Sequence, residues 1–138
     1  MIIKQISIFM ENTTGRLADV TALLAQAGIN LRAISIADTT DFGILRLVAD
    51  QPELALRRLK HAGFAARESE VIGVEVPDHP GGLARIIALL RDAKVSIEYL
   101  YASLEHKADR AIVVLKVDDV AAALDALERH GVLTVQSF

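Results

Sequence analysis

An α+β fold made of two tandem βαββαβ units is predicted by three features of the 138-residue sequence. The first is a repeat. Residues 12–31, NTTGRLADVTALLAQAGINL, match residues 78–97, DHPGGLARIIALLRDAKVSI. Gly15, Leu17, Ala18, Leu23, Leu24 and Ala27 thus fall on Gly81, Leu83, Ala84, Leu89, Leu90 and Ala93, 66 positions later. The second is a change of offset, to 68, which places Leu56, Leu59 and Gly63 on Leu124, Leu127 and Gly131. A two-residue insertion near Leu104–Arg110 explains the change, and a polar hairpin loop is expected to absorb it. The third is periodicity: both copies switch between strand and helix spacing in the same order. The copies, 1–69 and 70–138, meet near Ser69–Val71 with no Gly/Ser-rich or Pro-rich linker, so a rigid fusion is expected.

In the first copy, residues 1–10 alternate at Ile2, Ile6, Ile8 and Met10 and read as a strand. Thr14 is placed to cap a helix over 15–27 with the stripe Leu17, Val20, Leu24 and Ala27, closed by Gly28. Strands follow over 30–39 and 43–49, around a turn at Thr40–Phe42. Asp50 is expected to cap the next helix, with Pro52 in its first turn, Leu56 and Leu59 inward, and Gly63 at its end. A strand beginning at Phe64 leads to the first strand of the second copy, 71–76. Helix 81–93, strands 96–104 and 111–117, helix 119–130 and strand 132–137 complete that copy. Right-handed crossovers make each unit an antiparallel four-stranded sheet with both helices on one face, the ferredoxin-like arrangement. Strands 44–49 and 111–117 are apolar at nearly every position, so both of their faces are expected to be covered, by the other unit or by a second chain in a homodimer.

Composition narrows the functional classes. Fifteen Lys and Arg against 18 Asp and Glu give a net charge of −3, which offers no basic face for nucleic acid. Aromatic residues are 4% with no Trp, and only Tyr99 and Tyr101 alternate on a strand face, so a base-stacking platform is not expected. There is no Cys, hence no disulfide, thiolate metal site or cysteine nucleophile. No apolar run reaches the ~18 residues of a membrane span, and Met1 is followed by no signal-like segment, so a cytoplasmic protein is expected. His61, His79, His106 and His130 show no helical i, i+4 pair, and no metal or other cofactor is expected. Glu68, Glu70 and Glu75 read as solvated strand positions near the junction, not as a paired acid and base.

The element order, joined to Asn12-x-x-Gly15-x-Leu17-Ala18 and to Ala27-Gly28-Ile29-Asn30, resembles the ACT domain. Asp78-His79-Pro80-Gly81-Gly82-Leu83-Ala84 repeats the first motif, while Ala93-Lys94-Val95-Ser96-Ile97 departs from the second. The resemblance spans essentially the whole chain. It implies a tandem ACT protein, in a family whose members sense amino acids and often regulate amino-acid metabolic enzymes. It also implies a ligand held between two units by the β–α turn and by the start of the second strand. Carried over by position, the candidate ligand contacts are Asn12, Thr13, Thr14, Gly15, Arg16, Leu17 and Asn30, then Asp78, His79, Pro80, Gly81, Gly82, Leu83 and Ser96. Met10 stands where serine-sensing relatives carry a histidine, which points toward a less polar ligand.

The chemistry of these residues agrees. A free amino acid presents a carboxylate and an ammonium; the turn before each first helix presents unsatisfied N–H groups and the positive end of the helix dipole. Glycines at Gly15 and Gly81–Gly82 let ligand atoms approach the backbone, Asn12 offers donors and an acceptor, and Asp78 only acceptors. Each residue also has a plainer role: Asn12, Thr14 and Asp78 as caps, Asn30 as a strand start, Arg16 as a solvated cation. The function expected is a non-enzymatic sensor that binds an amino acid between units and passes its signal to a separate metabolic enzyme or regulator. The alternatives are a ferredoxin-like interaction module without a ligand, or an enzyme with its site at an oligomer interface.

Overall fold

The structure is a computed structural model; it describes residues 2–11, 13–38 and 41–135, with the side chains of His106 and Lys107 left out. Its elements are β1 (Ile2–Glu11), α1 (Arg16–Gln26), β2 (Leu31–Asp38), β3 (Phe42–Ala49), α2 (Pro52–His61), β4 (Ala65–Pro77), α3 (Gly82–Asp92), β5 (Ile97–Lys107), β6 (Arg110–Val117), α4 (Val120–Arg129) and β7 (Thr134–Val135). Two compact units form: Lys4–Ser69, and Glu70–Phe138 with Met1–Ile3. The two strands expected on either side of the junction are one: β4 runs unbroken for 13 residues, because the polar stretch Arg67–Glu70 is extended backbone and not a turn.

In the first unit β3 lies between β1 and β2, antiparallel to both. Its core takes alternate strand residues, Ile6, Ile8 and Met10 from β1 and Leu45, Leu47 and Ala49 from β3. Val20 and Leu24 of α1 and Ala55 and Leu59 of α2 close on this set. In the second unit the order is β5-β6-β4-β7, every neighbouring pair antiparallel. Ile72, Val74 and Val76 of β4 and Val113, Leu115 and Val117 of β6 meet Ile86 and Leu90 of α3 and Ala123 and Leu127 of α4. The alternating residues on the other face of β6, Ile112 and Val114, are buried as well. Burying one such aliphatic side chain is worth about 1.5–3 kcal/mol, so these two clusters are where the units derive most of their stability.

The two-residue insertion does not lie in the hairpin loop. Ala102 pairs with Val113 and His106 with Ala111, so three residues of β5 stand against one of β6. The surplus is a bulge, closed by the Ser103 hydroxyl, which donates to the Glu105 carbonyl and accepts from the Glu105 amide at 3.1 Å. A bulge accepts extra residues without lengthening the turn.

The helix ends repeat. After α1, Ile29 N–H donates to the Leu24 carbonyl and Gly28 N–H to Ala25, both at 3.0 Å. α2, α3 and α4 end on the same pair of bonds, to Leu59 and Lys60, Leu90 and Arg91, and Leu127 and Glu128. The residue past each cap is left-handed, and it is glycine except at Lys94, with φ 60°. Glycines 28 and 63 therefore end their helices as expected, and glycine 131 ends α4 in the same way; Ser96 follows the one ending built without glycine.

The helix starts differ from expectation. Gly15, not Thr14, is the cap of α1, and no side chain bonds the first turn. Gln51, not Asp50, precedes α2, whereas Asp119 does cap α4, accepting from the Ala122 amide at 3.0 Å. Leu17, expected in the inward stripe, is 40% exposed at the start of α1.

Candidate functional site

Two β–α turns, one per unit, contain most of the candidate residues, and their backbones coincide. Gly15 has φ 90° and ψ −12°; Gly81 has φ 89° and ψ −8°. Thr13 N–H donates to Glu11 and His79 N–H to Pro77. Arg16 N–H then reaches Thr13, and Gly82 N–H reaches His79. Finally Asp19 donates to Gly15 as Arg85 does to Gly81. This positive φ is easy only for glycine, so Gly15 and Gly81 set the turn. The amides that follow, of Leu17 and Ala18 and of Leu83 and Ala84, belong to the first helical turn, where a helix supplies no carbonyl of its own.

The glycines divide their roles. A Cβ on Gly15 or Gly81 would meet nothing within 4 Å, so the space beside each is open. A Cβ on Gly82 would stand 2.2 Å from the Pro77 carbonyl oxygen. Gly82 is therefore buried against the end of β4, and its lack of a side chain serves packing on that side. Arg16 holds the equivalent place in the first turn, so that turn is not closed in the same way.

Thr13, Thr14, Asp78, His79 and Pro80 are all exposed. Asp78 N–H donates to the Asp109 carbonyl at 2.9 Å, which fixes its backbone and leaves its carboxylate facing solvent. The His79 ring sits 3.0 Å from the Pro80 carbonyl through Nδ1. The guanidinium of Arg16 lies 4.8 Å from the centre of the Phe64 ring, with Nη1 3.9 Å from Asp19 Oδ2. Its Nε is buried without a hydrogen-bond partner. Leu83 is half-buried and packs on the second core. Asn12 lies outside the described residues. Met10 is buried in the first core.

Asn30 and Ser96 are held by a device that the sequence reading assigned to helix capping. Asp50 Oδ1 accepts from Asn30 N–H at 3.0 Å, and Asp50 N–H donates to the Asn30 carbonyl at 3.0 Å. Asp118 makes the same two bonds with Ser96, at 2.9 and 3.1 Å. Both side chains are exposed, and Ser96 lines a shallow depression of about 490 Å³ with Arg91 and Lys94. Within a unit these residues are not brought to the turn. They lie beyond the opposite end of an 11-residue helix, roughly 16 Å long.

Other sequence readings change with burial. Glu75 is 9% exposed, with Arg110 Nη1 3.6 Å from its carboxylate, and is not a solvated strand position. Tyr99 and Tyr101 stack at 6.5 Å, and Tyr101 is buried, so the pair is no open platform for bases. Lys4 donates to Glu53 at 3.2 Å and holds that carboxyl below the usual carboxylate range. Among the described residues no group of three or more His, Asp or Glu is placed to hold a metal ion, and no helix is long and apolar enough to cross a membrane.

The comparisons agree with this architecture. Protein BT0572 from Bacteroides thetaiotaomicron is similar in its crystal structure, with a TM-score of 0.92 and 38% identity, over 98% of this chain and 92% of that one. The ligand-free regulatory subunit of aspartate kinase from Thermus thermophilus shares the fold at a TM-score of 0.67 and 19% identity, over 91% of both chains. The corresponding subunit from Thermus flavus does so at 0.65 and 19%, over 94% of both. No curated protein matches. The profile described as an ACT domain pair matches residues 1–132, and the chain, with its two βαββαβ-type units and duplicated β–α turn, belongs to that family.

Proposed function

We propose that this protein is a non-enzymatic cytoplasmic regulator, built of ACT units 1–69 and 70–138, that binds a free amino acid and acts as a homodimer. The observation that carries this reading is the duplicated turn: the same left-handed glycine and the same three hydrogen bonds occur at Gly15 and Gly81. Such a turn suits a carboxylate, and the exposed Asp78 carboxylate suits an ammonium. Thr13, Thr14, Arg16, Leu17, His79 and Pro80 belong to the turns or adjoin them, and Asn12 is a candidate contact by its place in the sequence motif. Because Asn30 and Ser96 lie at the far ends of their own units' first helices, a site using both features draws the turn from one unit and the strand start from another. A ligand bridging two units favours the arrangement in which they meet, and this is how it would signal to a separate metabolic enzyme or regulator.

A thermal-shift screen of the twenty amino acids tests the reading. A ligand at about 100 times its dissociation constant adds about 2.7 kcal/mol of stability, so a selective rise in Tm is expected for one chemical class. Asn12→Ala and Asp78→Ala, made separately, should reduce that rise. A flat screen on ligand-free folded protein would remove the sensor reading and favour an interaction module.

A further inference from the structure

Helices α2 and α4 are the same helix by position and opposites by surface. They correspond at an offset of 68 residues, Pro52–His61 to Val120–Arg129. Inward, the correspondence is strict: Ala55 and Leu59 are buried in the first core, Ala123 and Leu127 in the second. Outward, it is reversed in charge. Arg57 and Lys60 stand where α4 has Asp125 and Glu128, and all four are exposed. It is also reversed in size, since Leu54 and Arg58 stand where α4 has Ala122 and Ala126. The small residues open a groove of about 330 Å³ between α3 and α4, with Ala93, Ala122 and Ala126 in it and Asp92, Asp125, Arg129 and His130 beside them. One unit therefore carries a basic stripe at Arg57 and Lys60, and the other a recessed groove of mixed charge whose outward positions, Asp125 and Glu128, are acidic.

The charges already present leave both stripes available. Glu53, on the basic stripe, is held by Lys4. Asp92, beside the groove, is held by Arg91 at 3.0 Å. Asp125 pairs with Arg129 one turn along, but both are more than half exposed, and an exposed i, i+4 pair contributes little. Exchanging that pair for an intermolecular one costs little. We infer that α2 of one copy docks on the α3–α4 groove of a second copy, its Arg57 and Lys60 meeting Asp125 and Glu128 and its exposed Arg58 entering the space left by the alanines. Every copy carries both halves, which is what a self-associating chain needs. The inference rests on the homodimer in the proposed function and names the surface that makes it.

Charge reversal tests it on the full chain, with mass measured by light scattering. The wild type should associate, and high salt should weaken the association, since the Debye length falls to about 3 Å at 1 M. Arg57→Asp/Lys60→Glu has two acidic stripes and Asp125→Arg/Glu128→Lys two basic ones; each alone should fall to monomer mass. Mixed in equal amounts, the two should recover the wild-type mass. Circular dichroism, expected unchanged because all four sites are solvent-facing, confirms that each variant folds. Wild-type mass retained in both variants alone would overturn this interface while leaving a dimer. A monomeric wild type at all concentrations would overturn the homodimer itself, and neither result depends on whether an amino acid binds.

Discussion

At the position of Gly82 the two turns stop being copies. Their dihedral angles and hydrogen bonds agree, yet the second turn is pressed against the Pro77 carbonyl and the first carries Arg16 at the same place. Alanine at Gly82 must move backbone, because its Cβ would sit 2.2 Å from that oxygen. Alanine at Gly15 meets no atom and bears only the cost of a left-handed residue, about 1–2 kcal/mol. Urea unfolding should therefore show Gly82→Ala destabilised beyond Gly15→Ala; equal losses would mean that the Pro77 contact relaxes freely. The identity of these glycines was legible in the sequence, since the repeat aligns Gly15 with Gly81. Their division of labour was not, because sequence carries no distance to Pro77. Asp50 is a similar case. An aspartate just before a helical proline reads as a cap, and its carboxylate does accept a backbone N–H, but from Asn30, 20 residues earlier. Pattern identifies the acceptor, whereas only the fold supplies its donor.

Elements were legible where periodicity and terminal glycines agree. All four helices fall within the ranges read from the sequence, because Leu24, Leu59, Leu90 and Leu127 recur at the same point before each end. The junction and the insertion were less legible. Extended polar residues at Arg67–Glu70 look like a break until they are found inside a strand, and a surplus of two residues looks like a longer loop until the register shows a bulge at Ser103–Glu105. The end of α3 yields a prediction. It makes the same bonds as its three counterparts but places Lys94, not glycine, at φ 60°. Lys94→Gly should relieve about 1 kcal/mol of backbone strain and, at this chain length, raise Tm by roughly 3 °C. A lowered Tm in a calorimetric scan would mean that the lysine side chain contributes more at that corner than its backbone costs.

For the whole molecule, the repeat led to the fold because both copies bury the same periodic residues, and it led to the candidate turns because both copies keep the same glycine. It was silent on association, which depends on residues where the copies disagree. Arg57 against Asp125 and Lys60 against Glu128 are mismatches in any alignment of the halves, and they become informative only once both pairs are seen on outward helix faces. Association also has a thermodynamic signature distinct from ligand binding. If folded copies bind one another and unfolded chains do not, mass action makes Tm rise with protein concentration in the absence of any amino acid. Each tenfold increase in concentration adds about 1.4 kcal/mol per dimer formed. The wild type should show this slope, and Arg57→Asp/Lys60→Glu should flatten it while keeping any amino-acid-induced shift that arises within one chain. A slope unchanged by the reversal would move the contact away from α2 and α4. The loss of both slope and amino-acid shift together would mean that the ligand sits between copies, and that the turns of Gly15 and Gly81 read their ligand only in the assembled protein.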